Sequence, residues 1–250
     1  MTEYVPLDRL PGTEAGAFIC WPVYSEEEAE DRLRQLRGLG VEAVALGGRH
    51  GVLGHMVLGK GHVGVVLRTR WRGLEAALKS RRTDADRPTL MDEAEHLQRA
   101  NEAGVGPRLY AHSRDFIVME LIDGLYLGEW VKAYQGPSEG LRRVLATLLH
   151  QARGLDRVGL DHGELTRVRR HFIVASDGPR IIDFESASLN RRTQNVTATV
   201  QSMFLSPGFS SLLRGLMPLP DRDKLVQALT EYKRAQTDRN FSRVLEVCGL

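Results

Sequence analysis

The stretch from Leu58 to Val66, Leu-Gly-Lys-Gly-His-Val-Gly-Val-Val, constrains the fold most strongly. Glycines alternate there with apolar residues, which predicts two strands joined by a turn rather than a strand that leads into a helix. A dinucleotide-binding fingerprint needs a helix that begins near Gly64, but residues 65–70 continue a β-branched strand pattern. A Walker A loop needs Ser or Thr where Gly61 stands, and it also needs a helix. Both of these nucleotide-binding classes are therefore excluded.

The remaining interpretation is a hairpin whose backbone N–H groups approach phosphates, at positions where a Cβ atom would obstruct them. The pattern is G-x-G-x-x-G-x-V, and its glycines are Gly59, Gly61 and Gly64. A plain hairpin explains the stretch equally well if the stretch is considered by itself. The interpretation depends on whether the groups that a phosphate site requires follow later in the chain.

Composition limits the class of protein but does not identify it. A chain of 250 residues, 42% hydrophobic and 26% charged, is long enough for one large domain or two small lobes. The net charge of +2 requires neither a nucleic-acid nor a membrane partner. Cys20 and Cys248 form no disulfide or metal-ligand pattern, which fits a reducing compartment. With a polar start and no long apolar run, the chain is expected to be cytoplasmic, with no membrane partner.

Residues 1–50 are predicted to form an appended α/β unit. A short strand is expected at residues 18–21. Ser25 is a candidate N-cap for a helix that begins with three glutamates and ends at Gly40. Residues 41–46 are then expected to form a strand. The acidic run is predicted to be a solvated helix face rather than a docking surface.

The segment after this unit is predicted to be three strands, with the Gly-rich turn between the first two and a turn at Arg72-Gly73 before the third. The third strand ends at Lys79, one of only five lysines in the chain. A lysine at a strand end is usually an edge residue exposed to solvent. Here a helix over residues 89–100 follows, and its Glu93 is predicted to face the sheet. Glu95 lies on another helix face and is the alternative partner for Lys79.

A β-hairpin over residues 108–119 is expected to complete a five-stranded sheet. The backbone groups of Glu120 and Ile122 follow it, in a position where they could bond an adenine edge. The pattern then changes to the helical period, with one apolar stripe. The stripe consists of Leu141, Val144, Leu145, Leu148, Leu149, Ala152 and Leu155.

Polar residues cluster around two short apolar strands in the second half of the chain. Residues 160–166, Leu-Asp-His-Gly-Glu-Leu-Thr, precede the strand at 172–174, and Ile-Ile-Asp-Phe-Glu follows at 181–185. Polar groups at the ends of short strands are how a phosphoryl-transfer site presents a catalytic loop and a metal ligand. Residues 193–205 are predicted to be a helix capped near Asn195, and two further helices are expected between residues 220 and 250.

Taken in order, the Gly-rich hairpin, Lys79, Glu93, the loop of Glu164 and the strand end at Asp183 resemble the protein-kinase superfamily. The most similar branch is its atypical microbial one: the RIO-type kinases, the small KEOPS-complex kinase and archaeal predicted Ser/Thr kinases. The resemblance covers roughly residues 52–205. It implies an α+β, two-lobed protein-kinase-like fold. The N-lobe would span residues 51–122, with a five-stranded antiparallel sheet and one helix, and a reduced, mainly helical C-lobe would span 123–250.

The same resemblance implies ATP and Mg²⁺ as cofactors, with Mn²⁺ as a substitute, and assigns residue roles. It places the nucleotide against Gly59, Lys60, Gly61, Gly64, Val66, Ala77, Lys79, Glu93, Glu120 and Ile122. Lys79 and Glu93 would form an ion pair, and Asp183 would bind the metal. His162, Phe184 and Leu97 would stack as an internal spine. For His162, this role does not differ from that of an ordinary histidine packed in the core.

Three departures from the family pattern concern the chemistry. Glu164 stands where the family has its catalytic Asp, and Glu185 stands where a glycine follows Asp-Phe. The metal-binding Asn has no counterpart, because the equivalent position is Arg169 or His171, and neither is a good Mg²⁺ ligand. Glu164 and Glu185 are therefore expected to help Asp183 hold the metal. No Ala-Pro-Glu activation segment follows, so control by loop phosphorylation is not expected.

The first functional prediction is an ATP-dependent Ser/Thr protein kinase, or a related autophosphorylating enzyme or ATPase, with Lys79, Glu164 and Asp183 as its catalytic residues. Its partner would be a protein substrate. The alternatives are a small-molecule kinase of the choline or aminoglycoside type and a nucleotide-binding pseudokinase scaffold. The basic run over residues 167–171 gives weak support for an RNA-associated complex, because no aromatic residues interleave with it.

Overall fold

A computed structural model describes residues 2–250, which form an α+β fold of antiparallel sheets and α-helices. The chain divides into two compact units. Unit 1 runs as far as Gln98 and includes Pro107–Leu121, whereas unit 2 comprises Arg99–Gly106 and Ile122–Leu250. Among the described helices, none combines the length and the apolar composition that crossing a membrane requires.

Unit 1 is built on a seven-stranded sheet. Its elements are β1 (Val5–Pro6), α1 (Glu14–Ile19), α2 (Glu26–Leu39), β2 (Val41–Ala45), β3 (His50–Val52), β4 (His55–Val57), β5 (Gly59–Lys60), β6 (Gly64–Trp71), β7 (Leu74–Arg81), most of α3 (Met91–Glu102), β8 (Leu109–His112) and β9 (Phe116–Glu120). The strand order is β1-β2-β6-β7-β9-β8, and β5 also pairs with β6. All of these pairs are antiparallel, and β3 and β4 form a separate hairpin. The central strand β7 lies between β6 and β9.

The two faces of the sheet differ in character. One face packs on the main apolar core, which includes Leu10, Phe18, Leu33, Leu36, Val44, Val65, Leu67, Leu78, Phe116 and Val118. Side chains alternate along a strand, so Val66, Ala77 and Lys79 share the opposite face. The pairing of Val66 with Lys79 on β6 and β7 agrees with this arrangement. The sequence-predicted nucleotide residues of this region therefore lie on the face away from the main core.

The structure corrects two expectations about the first fifty residues. Residues 18–21 are not a strand, because Phe18 and Ile19 belong to α1, whose N-cap Thr13 accepts a hydrogen bond from the Gly16 N–H. The segment is also not a separate appended unit, since β1 and β2 extend the sheet through pairing of β2 with β6. The sheet therefore has seven strands rather than the predicted five.

Local chemistry explains the elements of unit 1 that were predicted correctly. Ser25 caps α2 by accepting a hydrogen bond from the Glu28 N–H at 3.2 Å, and Gly40 ends the helix in the left-handed conformation at φ +79°. Arg72 and Gly73 both have positive φ, as a two-residue turn that joins β6 to β7 requires. The predicted boundaries of α2 and the predicted turn are thus confirmed, whereas β7 does not end at Lys79 but continues to Arg81, where it still pairs with β6.

A buried network of charged residues fixes α2 to the sheet. The guanidinium of Arg32, on α2, is fully buried, bonds the carbonyl of Arg81 and lies 3.5 Å from Asp115. Asp115 in turn accepts hydrogen bonds from Gln35, Arg81 and Arg114. Burial alone raises the pKa of Asp115, but these hydrogen bonds outweigh burial and leave the pKa below its usual value. The sequence pattern gave no indication of this network.

Unit 2 is mainly helical. Its elements are β10 (Gly124–Tyr126), α4 (Leu127–Ala133), α5 (Ser138–Arg157), α6 (Val168–His171), β11 (Phe172–Ala175), β12 (Gly178–Ile181), α7 (Asn195–Val200), a π-helical turn (Gln201–Leu205), α8 (Pro207–Leu213), α9 (Arg222–Arg234) and α10 (Asp238–Cys248). The strands form one antiparallel sheet in the order β10-β11-β12. The two predicted C-terminal helices are present as α9 and α10.

Helix α5 buries the predicted apolar stripe, although Val144 is only partly buried. The stripe also contains two polar residues, Arg153 and Asp156, that are less than 9% exposed. The helix predicted over residues 193–205 is also present, but as α7 followed by the π-helical turn. Asn195 does not cap this helix, because its side chain bonds groups on the preceding segments of unit 2.

Candidate functional site

The Gly-rich stretch is a hairpin, as its alternation predicts. Gly59 and Lys60 on β5 pair with Val66 and Val65 on β6, and the Gly61 N–H bonds the Gly64 carbonyl at 2.8 Å across the turn. The carbonyls of Val63 and Gly61 accept hydrogen bonds from Arg82, at the end of β7. The loop is therefore a closed turn anchored to the central strand.

Gly64 is required by close packing. A Cβ atom at this position would lie 2.9 Å from Lys79 Cε and 2.9 Å from the Ser80 carbonyl oxygen, closer than real Cβ contacts. At Gly59, by contrast, the nearest neighbour of such an atom would be Val66 at 3.5 Å, an ordinary contact. The third glycine of the motif thus leaves space for the stem of Lys79.

Lys79 and Glu93 form a buried ion pair. Lys79 Nζ donates to Glu93 Oε1 at 2.7 Å, and the two side chains are 5% and 7% exposed. Lys79 lies on the central strand β7 rather than at a solvent-facing edge. Glu95 is exposed, so Glu93 is the partner that α3 directs to the sheet. The predicted pairing is present.

Two other residues assigned to the nucleotide are near this pair. Ala77 is 4% exposed and precedes Lys79 by two residues on β7, which places both side chains on one face together with Val66. Lys60 is exposed, and its Nζ lies over the Trp21 ring at 5.0 Å from the centroid, beside Arg82 at 4.3 Å. Lys60 is thus held by an aromatic ring at the mouth of the hairpin.

Glu120 and Ile122, whose backbone groups were predicted to bond an adenine edge, fit this role only partly. The Glu120 N–H donates to the Arg108 carbonyl at 2.8 Å, and the Glu120 side chain accepts from the Arg108 N–H at 3.0 Å. The N–H of Glu120 would have to break this bond in order to reach a ligand. Ile122 is the first residue of the second segment of unit 2 and is half-buried.

In unit 2, a loop after α5 carries the predicted catalytic carboxylate. Asp161 forms an antiparallel bridge with Ser188, and Arg191 Nε pairs with the Asp161 carboxylate at 3.0 Å. Gly163 has φ +85°, and a Cβ atom there would lie 2.7 Å from the Ser186 carbonyl. Only glycine fits this close approach between the two loops, so the residue before Glu164 fixes the path of the backbone.

A buried network on the other side of this loop holds it in place. Asn195 Oδ1 accepts from the His162 N–H at 2.9 Å, and Asn195 Nδ2 donates to the Leu160 carbonyl and to the Asp156 carboxylate. Asp156 also accepts from the Tyr232 hydroxyl at 2.7 Å. Burial raises the pKa of Asp156, although the hydrogen bonds oppose the rise. The sequence does not predict this network, because Asn195 and Tyr232 are more than 30 residues away from the segment that contains Asp156, Leu160 and His162.

Three side chains lie close together at this loop: Glu164, His171 and Asp183. One donor atom from each lies within 4.8 Å of the others. Glu164 Oε2 is 3.1 Å from His171 Nε2, and Asp183 Oδ2 is 3.8 Å from His171 Nδ1. Asp183 has φ +69°, a left-handed conformation that is uncommon for a residue other than glycine. The cluster therefore combines a buried imidazole and two partly exposed carboxylates with local backbone strain.

Arg169 and His171, the two residues that the resemblance offers at the position of the missing Asn, have different surroundings. Arg169 bonds the Gly208 carbonyl, whereas His171 lies in the cluster at the end of α6. Glu185, which was predicted as a third metal-binding carboxylate, is not a member of the cluster. Alignment of the strand at 172–174 points to His171 as a candidate for this position. The alignment alone does not identify His171 as a metal ligand.

The two histidines beside the cluster favour their neutral forms. His162 is fully buried, its Nε2 is 3.1 Å from the Ile182 carbonyl, and its ring centroid lies 5.1 Å from that of Phe184. Burial and, to a smaller extent, the neighbouring His171 lower the pKa of His162 to about 4. Burial also lowers the pKa of His171, although Asp183 and Glu164 oppose this effect.

The sequence matches no model of a known protein family, and a search of curated proteins finds no match. The residues and their geometry are therefore the basis for assigning a function.

Proposed function

We propose that the protein transfers the terminal phosphoryl group of ATP to a Ser/Thr hydroxyl of a protein, as a compact atypical kinase. In this proposal, unit 1 corresponds to the N-lobe of a protein-kinase-like fold, and β5 to β9 correspond to its five strands. Unit 2 corresponds to the reduced, mainly helical C-lobe. The proposed phosphate-binding residues belong to unit 1, and the proposed catalytic and metal-binding carboxylates belong to unit 2.

The observation that carries this proposal is the buried pair of Lys79 and Glu93 next to the Gly-rich hairpin. A buried ion pair contributes little net stability, because desolvation of the two charges offsets their attraction. The hairpin leaves space for the Lys79 stem through the absent Cβ of Gly64. A cation fixed beside a turn rich in backbone N–H groups is a suitable partner for phosphate oxygens. A purely structural pair would need the space that Gly64 leaves, but it would not need the two other glycines of the hairpin, Gly59 and Gly61.

The residues of unit 2 suit a divalent cation only in part. Asp183 and Glu164 offer carboxylate oxygens, the hard donors that Mg²⁺ prefers, whereas the His171 imidazole is not such a donor. When bound, a divalent ion would neutralise charge that develops on the transferred phosphoryl group. Asp183 is proposed as its principal holder.

Glu164 is proposed to orient the acceptor hydroxyl. Its carboxylate contacts Arg167 at 2.9 Å and His171 at 3.1 Å, and its side chain is 26% exposed. The side chain is therefore held from two directions but remains open to solvent. A carboxylate held in this way can accept a proton from a hydroxyl group that approaches it.

Lys79→Met tests the proposal, because methionine keeps the length of the stem but removes the charge. We expect at least about tenfold weaker binding of a fluorescent ATP analogue, since a charge-assisted contact contributes about 1.5–3 kcal/mol. Lys224→Met, at an exposed position on α9, is the matched control and should bind as the wild type does.

A second variant separates binding from folding. The double variant Lys79→Met/Glu93→Gln leaves no uncompensated charge in the interior, so it should fold even if the single variant does not. Unchanged nucleotide affinity in a folded variant of either kind would remove the assignment of the site.

A nucleotide-binding scaffold is the second candidate, and one observation favours it. Both Glu164 carboxylate oxygens already have a basic neighbour, Arg167 or His171. Incubation with labelled ATP, Mg²⁺ or Mn²⁺ and a generic protein acceptor distinguishes the two candidates. Nucleotide binding without phosphoryl transfer, autophosphorylation or phosphate release would favour the scaffold.

A further inference from the structure

The cluster of Glu164, His171 and Asp183 differs from an ordinary group of surface acids, because its central member is buried. His171 is 4% exposed, and its ring lies between the two carboxylates, with one nitrogen near each. The residue ends α6 and begins the turn into β11, and its carbonyl accepts a hydrogen bond from the Ile182 N–H at 3.0 Å. Backbone contacts thus fix the imidazole at this place.

Neither ring nitrogen of His171 has a hydrogen-bond partner, although both are buried. The carboxylate oxygens are near, at 3.1 Å and 3.8 Å, but they are not aligned for hydrogen bonds with the ring. A buried polar atom without a partner costs about 1–3 kcal/mol. A cation that accepts a lone pair from the ring would satisfy one of these nitrogens and the facing carboxylate together.

The donor chemistry indicates which cation this is. In a mixed donor set, the imidazole nitrogen suits Zn²⁺ and Fe²⁺ and the carboxylate oxygens suit Mn²⁺, whereas Mg²⁺ prefers a shell made only of oxygen atoms. Three mixed imidazole and carboxylate ligands can hold a transition metal and leave positions open for water or substrate, as two imidazoles and one carboxylate do for Fe²⁺. The set carries two negative charges, enough to balance one divalent ion.

The spacing is close to what coordination requires. Two donors that each lie about 2.1 Å from one ion are at most about 4.2 Å apart. The three donor atoms lie within 4.8 Å of one another, so a rotation of the partly exposed Glu164 or Asp183 side chain closes the remaining gap. The separation of 3.1 Å between Glu164 and His171 already fits adjacent ligands.

Arg167 is the competing group, since its Nη1 lies 2.9 Å from Glu164 Oε1. Its side chain is 59% exposed, and a surface ion pair of this kind contributes about 0–1 kcal/mol. A divalent ion at the carboxylates would displace it at small cost. Removal of this arginine should therefore strengthen metal binding.

We infer that Glu164, His171 and Asp183 form a site for a divalent transition-metal ion, which His171 makes selective for Mn²⁺ or Zn²⁺ over Mg²⁺. The ion takes one ring nitrogen of His171 and a carboxylate oxygen from each acid. Binding needs no nucleotide, because all three ligands belong to unit 2.

Mn²⁺ alone is the probe. Titration of the purified full-length chain, followed by the loss of the free-ion electron paramagnetic resonance signal, gives the affinity and the stoichiometry. We expect one ion per chain, held at least about tenfold more tightly than Mg²⁺, which is measured by competition. Electron spin echo modulation of the bound Mn²⁺ should show the nitrogen of one directly coordinated imidazole.

His171→Asn is the decisive variant, because it replaces the nitrogen donor by an oxygen donor at the same position. The nitrogen modulation should disappear, Mn²⁺ affinity should fall about tenfold or more, and the preference over Mg²⁺ should shrink. His150→Gln, at an exposed histidine of α5, is the matched control and should change none of these quantities. Arg167→Gln should bind Mn²⁺ at least as tightly as the wild type does.

Bound Mn²⁺ without nitrogen modulation, or unchanged Mn²⁺ affinity in a folded His171→Asn variant, would overturn the site. If His171→Asn does not fold, Asp183→Asn provides the same affinity test, with the nitrogen signal of the wild type as the direct evidence. The site is independent of the proposed phosphoryl transfer, since the assay contains no nucleotide. A protein that binds Mn²⁺ through His171 but transfers no phosphoryl group would refute only the proposed function.

Discussion

Replacement of His162 by glutamine should make the stability of the protein less dependent on pH. The neutral ring donates from Nε2 to the Ile182 carbonyl at 3.1 Å, and Nδ1 is buried without a hydrogen-bond partner. A second proton would place an unpaired charge in the interior, which explains why burial lowers the pKa of His162 to about 4. Glutamine keeps an N–H donor near the position of Nε2 but cannot take up a proton.

The sign of the effect follows from proton binding. Below the ordinary histidine pKa of 6.5, the unfolded chain gains a proton at His162 that the folded chain does not gain until about pH 4. Stability is therefore lost as the pH falls through this interval, up to a limit of about 3.4 kcal/mol. Between about pH 7 and about pH 5.5, the loss is about 1.2 kcal/mol.

Urea unfolding, followed by circular dichroism at these two pH values, measures the loss. The wild type should lose about 1.2 kcal/mol more than His162→Gln, roughly a 0.5 M difference in the shift of the midpoint. His150→Gln, which removes an exposed histidine of the same unit, should keep the wild-type pH dependence. An equal loss in the wild type and in His162→Gln would refute the argument that the buried ring resists protonation.

Three further outcomes are expected. Gly64→Ala should weaken binding of an ATP analogue at least about tenfold, because the added Cβ displaces Lys79. Gly59→Ala should weaken binding much less, and equal effects of the two variants would contradict the packing argument. Glu164→Gln should lower phosphoryl transfer, measured with labelled ATP, at least about tenfold while metal-free nucleotide affinity holds; unchanged transfer would exclude the carboxylate from the chemistry. Asp115→Asn should lower the free energy of unfolding, measured with urea, by about 3–5 kcal/mol at neutral pH. The loss should be smaller in acid, because the wild-type carboxylate is itself protonated as the pH falls through its depressed pKa. A constant cost across pH would assign Asp115 a packing role only.

Features set by local chemistry could be predicted from the sequence. The cap at Ser25, the left-handed Gly40 and the turn at Arg72-Gly73 each depend on a few adjacent residues, and all three are present. The stripe of α5 and the pairing of Lys79 with Glu93 were also predictable, because a helical period places side chains on one face.

Features set by contacts between distant residues could not be predicted in this way. Residues 18–21 have an apolar pattern that a strand and a helix share, and packing against the sheet decides for the helix α1. The addition of β1 and β2 to the sheet depends on the pairing of β2 with β6, which no local pattern specifies. The bonds of Asn195 to Asp156 and to the His162 N–H likewise join segments more than 30 residues apart.

The cluster in unit 2 brings Glu164, His171 and Asp183 together, with one donor atom of each within 4.8 Å of the others. Two of the three cost stability: His171 buries two nitrogens without hydrogen bonds, and Asp183 holds a left-handed backbone, a strain of about 1–3 kcal/mol. The Glu164 carboxylate lies 3.1 Å from His171 Nε2, so these two side chains can act on one ligand together. Backbone strain and buried ring nitrogens without hydrogen bonds are features that binding of a ligand relieves, and they are the physical reason to test this cluster as a binding site.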